Sequence, residues 1–245
     1  MYFFIENEKQ IAESFITCVG GITSSVASDI NLTIESLSES RIIRILSGYS
    51  SKTVNEGKEY SVYFSDLRGE EQRDIIVELE VPEITMENAD YPIVRCTMQY
   101  NNLIIKKNEE KQILGYVIRK PNPAKDQIHD ALVAENLDRF EATRILEEAT
   151  QLGKDGKYDL AWKLLEDSIE KFTLNPHSSG SEYLIENMKD MLKELKNTHE
   201  FELNGVHRWR SAAVAQKNQR RNAMDSNIGK RFANKRQKAM YSKFS

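Results

Sequence analysis

Cysteine is scarce in this chain. Cys18 and Cys96 are the only two, too few for a disulfide framework, and neither belongs to a Cys-x-x-Cys pair. The four histidines, His129, His177, His199 and His207, never fall at a spacing that would put two metal ligands on one helix face. No apolar run approaches the roughly 18 residues needed to span a bilayer, and the mean hydropathy is -0.57. The apolar start Tyr2–Ile5 is broken at once by Glu6 and lacks the basic flank and long apolar stretch of a secretory signal. These absences exclude a membrane-spanning helix and a disulfide scaffold. They lead to the expectation of a cytoplasmic protein in a reduced compartment.

Catalytic signatures are missing too. No Gly-x-Ser-x-Gly, P-loop or dinucleotide fingerprint occurs. Gly20-Gly21 lacks the spacing and the following Lys-Ser/Thr of a phosphate cradle, and reads as close packing or a kink at a helix. The acidic pairs Glu70-Glu71, Glu109-Glu110 and Glu147-Glu148 read as solvated turns and helix faces. Cys18 on an apolar helix face and Cys96 in a strand read as small hydrophobes. The sequence therefore assigns no catalytic residue, no cofactor and no metal ligand, and the chain is expected not to be an enzyme.

What is present is architectural. The clearest strand runs from Asp74 to Val81: Ile75, Val77, Leu79 and Val81 alternate with Ile76, Glu78 and Glu80 up to Pro82. Further strands are predicted at Asn31–Leu37, Arg41–Leu46, Glu59–Ser65, Ile93–Tyr100 and Gln112–Ile118, separated by glycine- and asparagine-containing turns. Short strands at this rhythm predict an antiparallel β-sandwich over residues 29–120. Before it, a short strand at 2–5 and a helix from Asn7 to about Ala27 are expected. Ile11, Phe15, Cys18, Val19 and Ile22 form the apolar face of that helix.

Pro121-Asn-Pro123 marks a boundary, after which the apolar period becomes helical. Three helices are expected within residues 124–197. The first carries Ala142, Ile145, Leu146 and Ala149 inward and ends at Gly153–Gly156. The second runs from Tyr158 to Phe172, and the third from Glu182 to about Lys196. Met188 and Met191 are assigned to the core.

Charge is unevenly spread. Residues 207–245 carry a net +10 and the first 206 residues -14, from a total of -4. Residues 205–245 are accordingly expected to be a basic, extended tail that meets an acidic surface. Its candidate partner-binding residues are Arg208, Trp209, Arg210, Arg220, Arg221, Lys230, Arg231, Phe232, Lys235 and Arg236. Interleaved bases and aromatics can also hold single-stranded nucleic acid. No nucleic-acid-binding signature accompanies them, so a protein partner is favoured over nucleic acid.

Three segments taken together carry a family resemblance: Tyr2-Phe-Phe-Ile-Glu6, Ile11-Ala-Glu-Ser-Phe15 with Cys18-Val-Gly-Gly-Ile22, and Arg73–Pro82. They resemble the region that follows the metal site in intracellular eukaryotic von Willebrand factor A (VWA) domain proteins, including the plant RING-type ubiquitin ligases and the VWA–Hint proteins. The resemblance covers roughly residues 1–197. It implies that residues 1–28 are the terminal strand and helix of a VWA-like domain, followed by a sandwich and a helical hairpin like Gly156-Lys-Tyr-Asp-Leu-Ala161. The family's Asp-x-Ser-x-Ser metal loop occurs nowhere in this chain, and neither does a RING, so no family ligand can be placed on any residue. The expected function is a non-catalytic interaction or scaffold module of a larger assembly. The alternatives are an accessory part of a ubiquitin-ligase-like protein and an arm that binds an acidic polymer, either nucleic acid or acidic protein tails.

Overall fold

The computed structural model describes residues 5, 8–84, 88–119, 130–174, 182–197, 199 and 201–219. The expected strand at 2–5, the Pro121–Pro123 boundary and tail residues beyond 219 fall wholly or largely outside them. The chain divides into two compact units. One is formed by residues 22–128, the other by residues 1–21 with 129–245.

The first unit is a sheet structure. Its strands are β1 (Ser25–Ser36), β2 (Arg41–Leu46), β3 (Ser50–Asn55), β4 (Glu59–Arg68), β5 (Ile76–Glu80), β6 (Asn88–Asn102) and β7 (Lys107–Arg119). Five of them form one antiparallel sheet in the order β3-β4-β1-β6-β7, while β2 and β5 pair only with each other. β1 is central because its Ile30, Leu32 and Ile34 share one face and meet apolar neighbours on both sides. Leu32 lies opposite Val62 of β4 and Met98 of β6, and Ile34 opposite Tyr60 and Cys96. Ile34 and Val62 are buried, and each such side chain contributes roughly 1.5–3 kcal/mol. The β2–β5 ribbon adds Ile42, Ile45, Val77 and Leu79 to the same apolar cluster.

This arrangement corrects the expected β-sandwich. A sandwich needs two full sheets facing each other, and here the second layer is a two-stranded ribbon beside a five-stranded sheet. The strand at 76–80, which looked most decisive in sequence, belongs to that ribbon and not to the centre of the sheet. β3 escaped prediction because every one of its residues is exposed, so no buried face imposes alternation on it.

The second unit is helical. Its helices are α1 (Glu8–Ile22), α2 (Ala131–Lys154), α3 (Tyr158–Leu174), α4 (Glu182–Leu195) and α5 (Val206–Lys217), with a π turn at Phe201–Gly205 before α5. Asp130 caps α2, its carboxylate accepting from the backbone N–H of Leu132 and Val133 at 2.9 and 3.1 Å. Gly156 ends the turn after α2 at φ +72. The N–H of Lys157 reaches the carbonyl of Leu152 and that of Gly156 the carbonyl of Gly153, the pairing of a left-handed helix stop. Ala142, Ile145, Leu146, Ala149, Ala161, Leu165, Leu184, Met188, Met191 and Leu195 build the core with Phe201 and Trp209.

Two expectations fail in this unit. The chain from 206 to 217 is a helix, not the start of an extended arm. Trp209 and Ala213 enter the core and the burial of their apolar surface holds α5 in place. In α1 the expected apolar face points outward: Ile11, Phe15 and Ile22 are 55%, 68% and 67% exposed. The buried positions are Ile16 together with small residues, Ser14, Thr17, Gly20 and Gly21. Gly20 and Gly21 occupy the last turn, and the chain leaves helical geometry at Thr23.

Candidate interaction site

The tail residues singled out by sequence divide in two. Arg220, Arg221, Lys230, Arg231, Phe232, Lys235 and Arg236 lie outside the described residues. Arg208, Trp209 and Arg210 sit on α5. Trp209 is 2% exposed, with its ring centroid 4.8 Å from that of Phe201. Its indole N–H donates to Glu194 Oε2 at 2.8 Å. Arg208 donates to the other oxygen of the same carboxylate. One α4 carboxylate thus gathers both residues onto the body of the unit, and Trp209 is spent on packing.

A buried polar seam fixes the far side of α5. Arg139 Nη1 donates to the Gln216 carbonyl at 3.0 Å, and the Thr143 hydroxyl to Gln216 Oε1 at 3.2 Å. Lys217 Nζ reaches Glu147 at 3.0 Å on the surface. Such buried bonds are costly to leave half made, so they favour one seating of α5 on α2. Sequence reasoning missed this seam because Thr143 and Gln216 carry no period of their own.

The sheet unit holds an open cleft of about 590 Å³. It lies where β1, β6 and β7 approach the β6–β7 turn, and polar side chains line it. Asp29 stands at φ 52 beside an irregularity in the β1–β6 register, and accepts from the Tyr63 hydroxyl at 3.2 Å. Asn31 accepts from the Ser61 hydroxyl at 2.5 Å, and Gln99 donates to Glu110 at 2.8 Å. Glu109 Oε2 accepts from both the Asn102 amide and the Tyr100 hydroxyl at 2.7 Å. Those two bonds hold the Glu109 carboxyl below its ordinary range, the Asn102 bond contributing most. The same carboxylate pushes the Tyr100 phenol up.

The chemistry that follows is limited. A carboxylate kept ionised is a poor general acid, and a phenol that holds its proton is a poor nucleophile. The cleft residues largely satisfy one another. Among the described residues no group of three or more His, Cys, Asp or Glu could hold a metal ion. Cys96 is half-buried, and burial raises its thiol pKa. Cys18 is half-buried as well. No described helix is long and apolar enough to cross a membrane.

Among the described residues, the outward face of α1 is exposed and apolar. Ile11, Phe15, Cys18 and Ile22 follow one another at spacings of three or four residues, so they form a single stripe along the helix. Among solved structures, the chain is similar to the von Willebrand factor type A protein from Catenulispora acidiphila, with a TM-score of 0.58 and 11% identity. The likeness covers 88% of this chain and 52% of that one. The fold is VWA-like. At that identity the comparison speaks for the fold alone, and the chain spans about half the length of the structure it matches.

A second solved structure, the ArnB paralog VWA2 from Sulfolobus acidocaldarius, aligns with a TM-score of 0.34 and 17% identity over 74% of this chain and 42% of that one. At that score it adds no support. No protein-family model matches the sequence, and no curated protein matches it.

Proposed function

We propose that this chain is a non-catalytic protein-interaction module of a VWA-type protein of the intracellular kind. In this reading it corresponds to the part that follows the metal-binding half and works in the cytoplasm within a larger assembly. The observation that carries the reading is the outward apolar stripe of α1, on a chain whose fold matches only half of a VWA protein. A helix normally turns such a stripe toward a core. Here the stripe is turned out, and a polypeptide surface that covered it would remove three large apolar side chains from water.

Burial of Phe15 alone is worth roughly 1.5–3 kcal/mol before the costs of association are subtracted. Phe15→Asp should therefore weaken the assembly by roughly ten- to a hundredfold. The test is native size separation of the chain expressed in its own cells, wild type against Phe15→Asp. The proposal expects the wild type in a complex much larger than the chain and the variant released from it. Co-migration of both at the same size overturns it.

The alternative of a basic arm reading an acidic polymer loses its described aromatic, because Trp209 is committed to the core. Protein binding through the body is the reading retained.

A further inference from the structure

The two edges of the five-stranded sheet are unlike each other. β3, at one edge, is short and mostly polar, Ser50-Ser-Lys-Thr-Val-Asn55, the composition that discourages strand addition. β7, at the other edge, is 13 residues long. Within six consecutive positions it exposes Ile113, Leu114, Tyr116 and Ile118, with Ile113 and Ile118 at 68% and 70%. A long apolar edge of this kind is normally paired or covered.

Alternation along β7 places Leu114, Tyr116 and Ile118 on one face of the sheet. In the pairing with β6, Leu114 lies opposite Arg95 and Tyr116 opposite Pro92.

We propose that β7 is a homodimer edge, at which two copies of this chain pair antiparallel about a two-fold axis at Tyr116. Self-complementarity singles out a second copy as the occupant. With Tyr116 opposite Tyr116, Leu114 of each copy faces Ile118 of the other, and Gly115 faces Val117. Every pair on the exposed face is then aromatic with aromatic or aliphatic with aliphatic, the combinations that stabilise cross-strand neighbours. The charged run from Lys107 to Lys111 falls outside this pairing. Arg119 is already engaged by the Pro82 carbonyl and lies 5.5 Å from the centroid of the Tyr91 ring in its own chain. An isologous strand pairing of this form joins the two five-stranded sheets into one of ten.

The test is sedimentation velocity of the full chain across roughly 1–100 µM, the range in which an edge-strand interface of modest size reports. Wild type is expected to move from monomer to dimer across that range. Leu114→Glu and Ile118→Lys singly should each weaken the dimer at least about tenfold, because each sets a charge against an aliphatic partner. The double variant Leu114→Glu/Ile118→Lys places a carboxylate opposite an ammonium twice, and should restore the dimer to within a few-fold of wild type. Far-UV circular dichroism confirms that each variant is folded. A wild type that stays monomeric overturns the proposal. A folded Leu114→Glu that dimerises like wild type also overturns it, and so does a double variant no better than the singles.

Discussion

Phe201 is held between two glycines, and Gly153→Ala tests that arrangement directly. A Cβ built on Gly153 would lie 2.5 Å from two carbons of the Phe201 ring, and one on Gly205 would lie 2.7 Å from a third. The ring cannot retreat easily. It is fully buried, with Tyr158 edge-on at 6.0 Å and Trp209 at 4.8 Å between centroids. Two effects oppose each other in the substitution. Alanine gains about 1 kcal/mol over glycine in a helix, whereas an extra methyl in a packed core costs about 1–3 kcal/mol. With a contact this short against a clamped ring, overpacking wins, and a net loss of about 1–2 kcal/mol is expected. Urea unfolding at fixed pH gives the value, and a double-mutant cycle with Phe201→Ala isolates its cause. Phe201→Ala alone should cost about 3–5 kcal/mol. On that background Gly153→Ala should become neutral or stabilising, because the ring it strikes is gone. A Gly153→Ala protein as stable as wild type refutes the clamp, as does a cycle with no coupling.

Trp209→Phe keeps an aromatic ring against Phe201 but removes the indole N–H that donates to Glu194. A bond to a charged acceptor contributes about 1.5–3 kcal/mol, so the urea midpoint should fall accordingly; an unchanged midpoint would show that the bond adds nothing. Tyr183 is pushed up to about 12 from an ordinary 10.0, chiefly by burial, with Asp138 adding to the shift and Arg139 opposing it. A raised pKa means that its stabilising contribution is intact below pH 10 and is lost as the pH climbs toward 12. Absorbance titration at the phenolate band should show a latest component that is lost in Tyr183→Phe, with wild-type stability falling by up to about 2–3 kcal/mol across that window. Full titration of all tyrosines near the ordinary value would remove Tyr183 from this account.

The helical unit was the more legible part of the chain. The helical period predicts α3 and α4 nearly to the residue because Leu165, Leu184, Met188, Met191 and Leu195 repeat with it and are all buried. The sheet unit was legible as strands and not as layers. Alternation in Ile76–Glu80 reports that one face is buried, but it does not report which strand lies alongside, so a two-stranded ribbon and a sandwich edge look alike. β3 has no buried face and left no signal. In α1 the apolar spacing marks an amphipathic helix but not its inward side, because small residues such as Ser14, Thr17, Gly20 and Gly21 are buried while Ile11, Phe15 and Ile22 are exposed. The composition of the tail was dominated by Arg and Lys, which hid the anchoring of α5 by Trp209. No sequence pattern marked the Glu194 carboxylate that receives both Trp209 and Arg208.

The proposed function rests on the exposed stripe of Ile11, Phe15 and Ile22 being covered by a VWA-type polypeptide. The most direct measurement replaces Phe15 with a photo-crosslinking phenylalanine analogue in the chain's own cells, irradiates, and identifies the attached polypeptide by mass spectrometry. One dominant product, whose sequence carries an Asp-x-Ser-x-Ser loop, is expected. Crosslinks spread over unrelated proteins, or none above the level of the same analogue placed at exposed Leu160, would contradict it.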